Sequence, residues 1–404
     1  MNKLKALYTL FIIIILSITF INPIFAENIR IGIEPEGYYT TLRVQSFIGK
    51  WQLQLFKHIG SETSVITEDI LSGEDAVLML IPKGIIVRMS SEKALDEGYD
   101  SCRIIGGELL NLELPQNSPK LVQGKLDITH DNEKLSIVNT LPINNYTITC
   151  ASSEIITCEP EAVKAQIVVI ESKIHYLKNH SKHPKENFDV CDGHHCIKYP
   201  GIGSNRELIE LLYPSIPLHL LHYKDKIIYP RYHHTCGGKI SSAKDVYGVN
   251  DEPYHISHSD LKDKKGSENC FHSPSFHWTI EIPISSIADF LSLEFAGGAD
   301  NVYLNWKELK VNEEGRILMV RIIGRKIKEI QGIEFLEHLH NFYGINSIKS
   351  LRFTCEPLRR SMLIRGMGEG DGVGMCLYGS DGLAKKGLNY KEILEFYYPG
   401  TTLK

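Results

Sequence analysis

The chain has 404 residues, with 44 Lys and Arg against 49 Asp and Glu, for a formal net charge of −5. It carries no basic stripe and no run of interleaved aromatic and basic residues, which excludes nucleic acid as an expected partner. Its nine cysteines are scattered and odd in number, so they cannot all pair internally, and no dense disulfide scaffold is implied.

Met1-Asn2-Lys3-Leu4-Lys5 is a short basic start, Ala6 to Ile21 is nearly unbroken apolar sequence, and Pro23-Ile24-Phe25-Ala26 offers a small residue for cleavage. Residues 1–26 therefore read as an export signal, with cleavage after Ala26 favoured over a single N-terminal membrane anchor. Either outcome places the rest of the chain in an extracytoplasmic space, the periplasm or cell envelope. From there Ile29–Ile33, Val77–Ile81 and Gly84–Met89 alternate as strands do. Val122–Ile128 and Leu135–Asn139 read as a hairpin turning at Asp131-Asn132. Residues 27–140 are thus a β-rich segment without a motif that carries chemistry.

The next stretch, 141–178, centres on a carboxylate, Glu154, followed by a helical run that begins at Pro160. Proline is suited to a first helical turn because its missing N–H would have no intrahelical partner there. Val163, Ile167, Val168, Ile170, Ile174 and Leu177 then fall three and four apart, which makes a broad apolar helix face. Ile148, Ile155 and Ile156 bracket Glu154, and a carboxyl at the edge of apolar surface keeps its proton and can act as a general acid. For a glutamate taken alone, a solvated position ahead of a helix is the ordinary reading.

Three ordered motifs change that reading. Leu141-Pro142-Ile143-Asn144-Asn145-Tyr146, Ala151-Ser152-Ser153-Glu154-Ile155 and Pro160-Glu161-Ala162-Val163-Lys164-Ala165-Gln166 resemble LPLEDYLxGVVASEM and PEALKAQAVAARTY of the stage II sporulation protein D family. Tyr232-His233-His234-Thr235-Cys236-Gly237-Gly238 resembles FHSTCGGxT, with Val246-Tyr247-Gly248 where the family has VWG. Gly366 to Gly379 resembles GRGWGHGVGMSQWG, and Asn389 to Leu403 closes the chain with a short helix and YYPGT. Five glycines at alternating positions in the third motif suit neither an ordinary helix nor a strand, and permit a tight backbone lining for a cleft.

The resemblance covers roughly the whole chain beyond the signal and implies an exported peptidoglycan lytic transglycosylase. It places the catalytic acid on Glu154. It implies substrate contacts at Lys164, Gln166, Tyr232, His233, His234, Thr235, Cys236, Gly237, Gly238, Asp371, Gly372 and Gly374. Family members prefer glycan stripped of stem peptides, which implies an N-acetylmuramoyl-L-alanine amidase as partner. The family's CDxxHCQxY is matched by Cys191, Asp192, His195, Cys196 and Tyr199, and some members bind zinc there. No cofactor is required for the chemistry, but a structural zinc on Cys191, His195 and Cys196 is one reading, with His183 first and His180 second for the fourth ligand. A Cys191–Cys196 disulfide loop or two thiols is the other. Ser273-Pro274-Ser275-Phe276-His277-Trp278 matches SPxxxW, with Trp278 read as core.

Three departures bear on function. Asp371 stands at the histidine of GHG, Leu377 at the glutamine after the Met-Ser pair, and Glu171 at the arginine of AARTY. The expected fold is α+β: a β-rich segment 27–140, a helix-containing catalytic lobe 141–282, a β-rich second lobe 283–360, and 361–404 returning to the catalytic lobe, with a substrate cleft between the lobes. The expected reaction is cleavage of the MurNAc–GlcNAc bond with a 1,6-anhydro product. A catalytically weakened peptidoglycan-binding or morphogenetic protein is the alternative, motivated by Asp371 and Leu377. A zinc enzyme built on the His/Cys patch lacks an obvious base.

Overall fold

The computed structural model describes residues 27–404 except 157–158, 194–195, 202, 204, 217–219, 262–265, 297–301, 307 and 345–346. The expected export signal over 1–26 lies outside the described residues, as does His195. No helix among the described residues is long and apolar enough to cross a membrane. The architecture is mixed α+β, and the chain divides into two units: 27–146 with Lys182–Lys198, and Thr147–Ser181 with Tyr199–Lys404.

The first unit is built from two sheets. One runs in the order Val190–Cys191, Asn28–Ile33, Leu135–Pro142, Lys125–His130, Ser101–Gly106, Trp51–Ile59, Glu62–Ile70. The other runs Lys120–Val122, Leu109–Glu113, Thr41–Ile48, Asp75–Ile81, Gly84–Met89, Ala94–Tyr99. Alternation decides which side chains are inside: Leu53 and Leu55 are fully buried, while Gln52 faces out. The predicted hairpin is present as Lys125–His130 against Leu135–Pro142, with Asn132 at φ +75° in its turn. Lys120–Val122 belongs instead to the second sheet, so the hairpin begins later than expected. Val190–Cys191 adds in parallel to Asn28–Ile33, which ties the His/Cys patch to this unit.

Eight helices are described: α1 (Ile143–Glu154), α2 (Pro160–Asn179), α3 (Arg206–Leu212), α4 (Ala243–Tyr247), α5 (Ile284–Ala296), α6 (Gly332–Tyr343), α7 (Leu377–Lys385) and α8 (Tyr390–Tyr397). Helix α2 starts at Pro160 and buries Val163, Ile167, Val168, Ile170, Ile174 and Leu177 against α7 and α8. Each such side chain contributes about 1.5–3 kcal/mol when fully buried, so this one face dominates the packing around it. Ile167→Ala would leave a cavity and cost on the order of 2–5 kcal/mol. Helix α8 carries a capping box, with Asn389 accepting from Lys391 and Glu392 N–H and Glu392 returning a bond to the Asn389 N–H.

Helix α1 has no counterpart among the sequence expectations, because Ile143, Thr147, Ile148 and Thr149 are β-branched and the asparagines favour turns. Residues 283–360, expected as a β-rich lobe, include two helices, α5 and α6, alongside the strands. They enclose a core in which Phe290, Phe335, Ile317, Val320 and Ile364 are buried together, with the Phe290 and Phe335 rings 5.8 Å apart. Trp278 is buried at its edge, and its indole N–H donates to the Gly368 carbonyl at 2.8 Å.

Candidate active site

Glu154 is the last residue of α1, half-buried. The negative end of the helix dipole lies there and works against a second negative charge. The chain on either side of it is pinned: the Gly203 N–H donates to Ser152 Oγ at 3.1 Å, and the Asn205 side-chain amide donates to the Ile155 carbonyl at 2.9 Å. A Cβ at Gly203 would lie 2.5 Å from the Ser152 carbonyl oxygen, so only glycine permits this approach.

The hydroxyl of Tyr232 donates a hydrogen bond to Glu154 Oε2. Burial, followed by the charge of Glu154, pushes the Tyr232 phenol well above its ordinary range. It therefore stays protonated and can act on Glu154 as a donor. The ammonium of Lys173 sits 4.9 Å over the Tyr232 ring. One carboxylate oxygen is thus held, which fixes the direction of the other.

The second and third motifs run side by side. Tyr232–His233 pairs in parallel with Met375–Cys376, Thr235 and Glu369 exchange backbone hydrogen bonds of 3.0 and 2.7 Å, and the Ser241 N–H donates to the Gly372 carbonyl. Two glycines make the seam close. Gly374, at φ +72°, would place a Cβ 1.9 Å from the Arg231 carbonyl oxygen; Gly372, at φ +76°, would place one 1.9 Å from Arg316 Nη2. Tight backbone approach is what the alternating glycines serve here, and their partners include the protein's own Arg231 and Arg316. Gly366 lies in the strand Ser361–Met367 and Gly379 in α7, so the motif ends in regular structure on both sides.

Lys164 pairs with Glu161 at 2.8 Å along α2, and Gln166 is buried with no hydrogen-bond partner for its side-chain amide among the described residues. His233 is buried, with Nδ1 2.9 Å from the Val373 carbonyl and 3.8 Å from Asp371 Oδ1; burial lowers its proton affinity against the pull of Asp371. His234 is partly exposed, 3.4 Å from Glu369 Oε2, and burial lowers it too. Thr235 is buried and shares a 2.6 Å hydrogen bond with Ser273. Cys236 is fully buried, with Sγ 3.3 Å from Cys270 Sγ, so its side chain is turned inward. Gly237 and Gly238 are at φ +70° and +94°.

Asp371 is held by Tyr247, whose hydroxyl donates to Oδ2, and by the Val373 N–H, which donates to Oδ1 at 3.1 Å. Arg316, fully buried, donates through Nε to Ser241 Oγ at 3.2 Å. Arg231 forms a two-pronged pair with Glu252 at 2.7 and 2.9 Å, and its guanidinium carbon sits 3.9 Å over the Tyr247 ring. Sequence reasoning passed over Arg231, Glu252 and Arg316, since none lies in a motif that signals buried charge. Leu377, at the altered glutamine position, is buried at the start of α7.

The His/Cys patch brings His183, Cys191 and Cys196 together, with one ligand atom of each within 4.8 Å of the others and His183 Nε2 3.4 Å from Cys196 Sγ. Two ligands on a tetrahedral zinc, at about 2.0 Å for nitrogen and about 2.3 Å for sulfur, stand roughly 3.5 Å apart, so this set fits the ion. Asp192 between them accepts from Lys120 Nζ and from the Glu34 N–H at 2.9 Å, which anchors the loop. His180 instead stacks on Tyr176 and bonds the Tyr176 carbonyl at 3.0 Å.

Residues 131–215 match the family model described as Stage II sporulation protein. The chain is 23% identical to the stage II sporulation protein D of Bacillus amyloliquefaciens over 353 residues, 83% of this chain and 94% of that one. It is 26% identical over 291 residues to an uncharacterized protein of Brachyspira hyodysenteriae, covering 69% of this chain and 71% of that one. A third match, 42% identical, is to 65 residues of the amidase enhancer of Bacillus subtilis, 16% of this chain and 9% of that protein.

Proposed function

On the premise that the chain belongs, through residues 131–215, to the stage II sporulation protein D family, we propose that it is an exported lytic transglycosylase acting on peptidoglycan glycan strands with Glu154 as its single general acid and base. The observation that carries this reading is the hydrogen bond from Tyr232 to Glu154 Oε2, which joins the second motif to the first. A hydrolytic glycosidase needs two carboxylates; a transglycosylase manages with one. Glu154 protonates the glycosidic oxygen as the bond from muramic C1 breaks. It then takes the proton of the muramic 6-hydroxyl as that oxygen closes on C1 to give the 1,6-anhydro ring. The nucleophile belongs to the same sugar, so its effective concentration is already high. The substrate cleft lies where Glu154 and the paired second and third motifs face the glycan.

Within this reading the protein works outside the cytoplasm on glycan that an amidase has stripped, in keeping with the segment it shares with an amidase enhancer. His183, Cys191 and Cys196 would hold a structural zinc, with His195 as the remaining ligand; such an ion closes the loop and supplies folding free energy rather than chemistry. A second reading, a glycan-binding protein of reduced turnover, is favoured by Asp371, whose carboxylate is already engaged by Tyr247.

The deciding experiment incubates purified protein with peptide-free glycan. Anhydromuramyl ends are expected, and Glu154→Gln should abolish them, a loss on the order of a hundred- to ten-thousand-fold, while glycan binding survives. Reducing ends would mean a hydrolase. Co-sedimentation without products would mean a binder.

A further inference from the structure

Cys236, Asp260, Cys270 and Cys376 are all fully buried, and one ligand atom of each lies within 4.8 Å of the others. Cys236 Sγ is 3.3 Å from Cys270 Sγ and 3.1 Å from Asp260 Oδ2. The sulfur separation is far beyond the roughly 2.05 Å of a disulfide bond. It is a few tenths of an ångström below the separation of two thiolates on a tetrahedral zinc, roughly 3.8 Å.

We propose that these four side chains form a structural metal site for a thiophilic divalent cation of the zinc class, separate from the His183, Cys191 and Cys196 set. Three thiols and a carboxylate are crowded together in a dry interior, where no water solvates them. A dication there has thiolates and carboxylate as its ligands.

The surroundings are built for anionic sulfur. Cys376 Sγ accepts from the Cys236 and Gly379 N–H groups, both at 3.2 Å, and Cys236 Sγ accepts from the Gly238 N–H at 3.3 Å. Cys376 also caps the N-terminus of α7, where the helix dipole favours negative charge. The outer partners aim the carboxylate. Asp260 Oδ1 accepts from the Tyr397 hydroxyl at 2.9 Å and the Asn269 amide at 3.1 Å, which leaves Oδ2 toward the sulfurs. A Cβ at Gly379 would lie 2.2 Å from the Tyr397 hydroxyl and 2.7 Å from Asp260 Oδ2, so glycine is required beside this box. An ion there would rivet the second motif, through Cys236, to the third, through Cys376.

The test measures zinc in the full exported chain carrying Cys191→Ser and Cys196→Ser, which removes the other set. About one zinc per chain is expected to remain, and adding Cys270→Ser should lower it at least tenfold. Cobalt exchanged into the double-serine protein should give a thiolate-to-cobalt charge-transfer band in the near ultraviolet. This second readout needs no change in the buried cluster, so it stands if the Cys270 variant does not fold. A folded double-serine protein without metal and without the cobalt band overturns the proposal, as does a Cys236–Cys270 disulfide in its mass spectrum. Neither readout depends on glycan cleavage.

Discussion

The phenolic hydroxyl of Tyr247 donates to Asp371 Oδ2 at 2.5 Å. Both are positions where the chain departs from the pattern it resembles, tyrosine for the tryptophan of VWG and aspartate for the histidine of GHG. The two departures therefore meet in one hydrogen bond. Burial, then the charge of Asp371, pushes the Tyr247 phenol well above its ordinary range, so it remains a donor. Asp371 in turn faces the buried Arg316, whose proton affinity burial lowers and Asp371 raises.

Restoring one partner alone should be worse than restoring both. Asp371→His removes the anion beside Arg316 and leaves the Tyr247 hydroxyl without its acceptor, at a cost of about 1–3 kcal/mol. Adding Tyr247→Trp should recover part of this, with a coupling of at least about 0.5 kcal/mol in a double-mutant cycle read by denaturant unfolding. Additive single effects would show that the two positions are energetically uncoupled. Anhydromuramyl yield from the double variant, compared with the parent, then reports whether these two residues weaken turnover.

Tyr232→Phe should separate the holding of Glu154 from its chemistry. The phenol contributes a hydrogen bond to a charged acceptor, about 1.5–3 kcal/mol, so kcat should fall roughly ten- to hundredfold with KM little changed. A donor to the carboxylate favours its charged form; without it the acid form persists to higher pH. The alkaline limb of the pH–rate profile should accordingly move upward. A rate loss with an unmoved profile would make Tyr232 a packing residue only.

How much of this was legible follows from where each signal lies in the chain. Helix α2 was readable because Val163, Ile167, Ile170, Ile174 and Leu177 repeat at helical spacing with Pro160 ahead of them. Helix α1 was not, since its β-branched and asparagine residues have poor intrinsic helix preference and tertiary packing overrides it. The His183, Cys191 and Cys196 set lies within a short stretch, and the resemblance to CDxxHCQxY pointed to it. Asp260 and Cys270 stand apart from any motif, and only folding brings them to Cys236 and Cys376. The same holds for Arg316, which reaches Ser241 from 75 residues away.

Glu171, at the position of the arginine in the pattern, is buried on α2, and its carboxyl accepts from the Tyr213 hydroxyl at 3.0 Å. Burial pushes its pKa up, and the Tyr213 bond offsets only part of that. The folded state then binds this proton more tightly than the unfolded one. Its contribution is fully present below the ordinary carboxylate range, about 4.3, and is lost as pH rises through the folded value. Glu171→Gln keeps an acceptor for Tyr213 and cannot ionise. Its melting temperature should exceed that of the parent at pH 7, with the gain shrinking toward pH ~4. A gain independent of pH would mean that the charge is not what costs stability.

Glu252 titrates in the opposite sense. Burial would raise its pKa, but bonds from His255 and from both prongs of Arg231 win and hold it at about 2. A depressed folded value means stability that is present above the ordinary carboxylate range and lost as pH falls toward 2. Arg231 also supports the motif seam: its carbonyl accepts from the Met375 N–H at 3.1 Å and the Tyr398 hydroxyl at 2.7 Å. Glu252→Gln leaves that guanidinium without its anion, a loss on the order of 3 kcal/mol at pH 7. The gap between parent and variant in urea unfolding should close steadily from pH ~5 downward. Parallel curves across that range would show that the pair is worth no more than its packing, and that the seam beside Tyr232 stands without it.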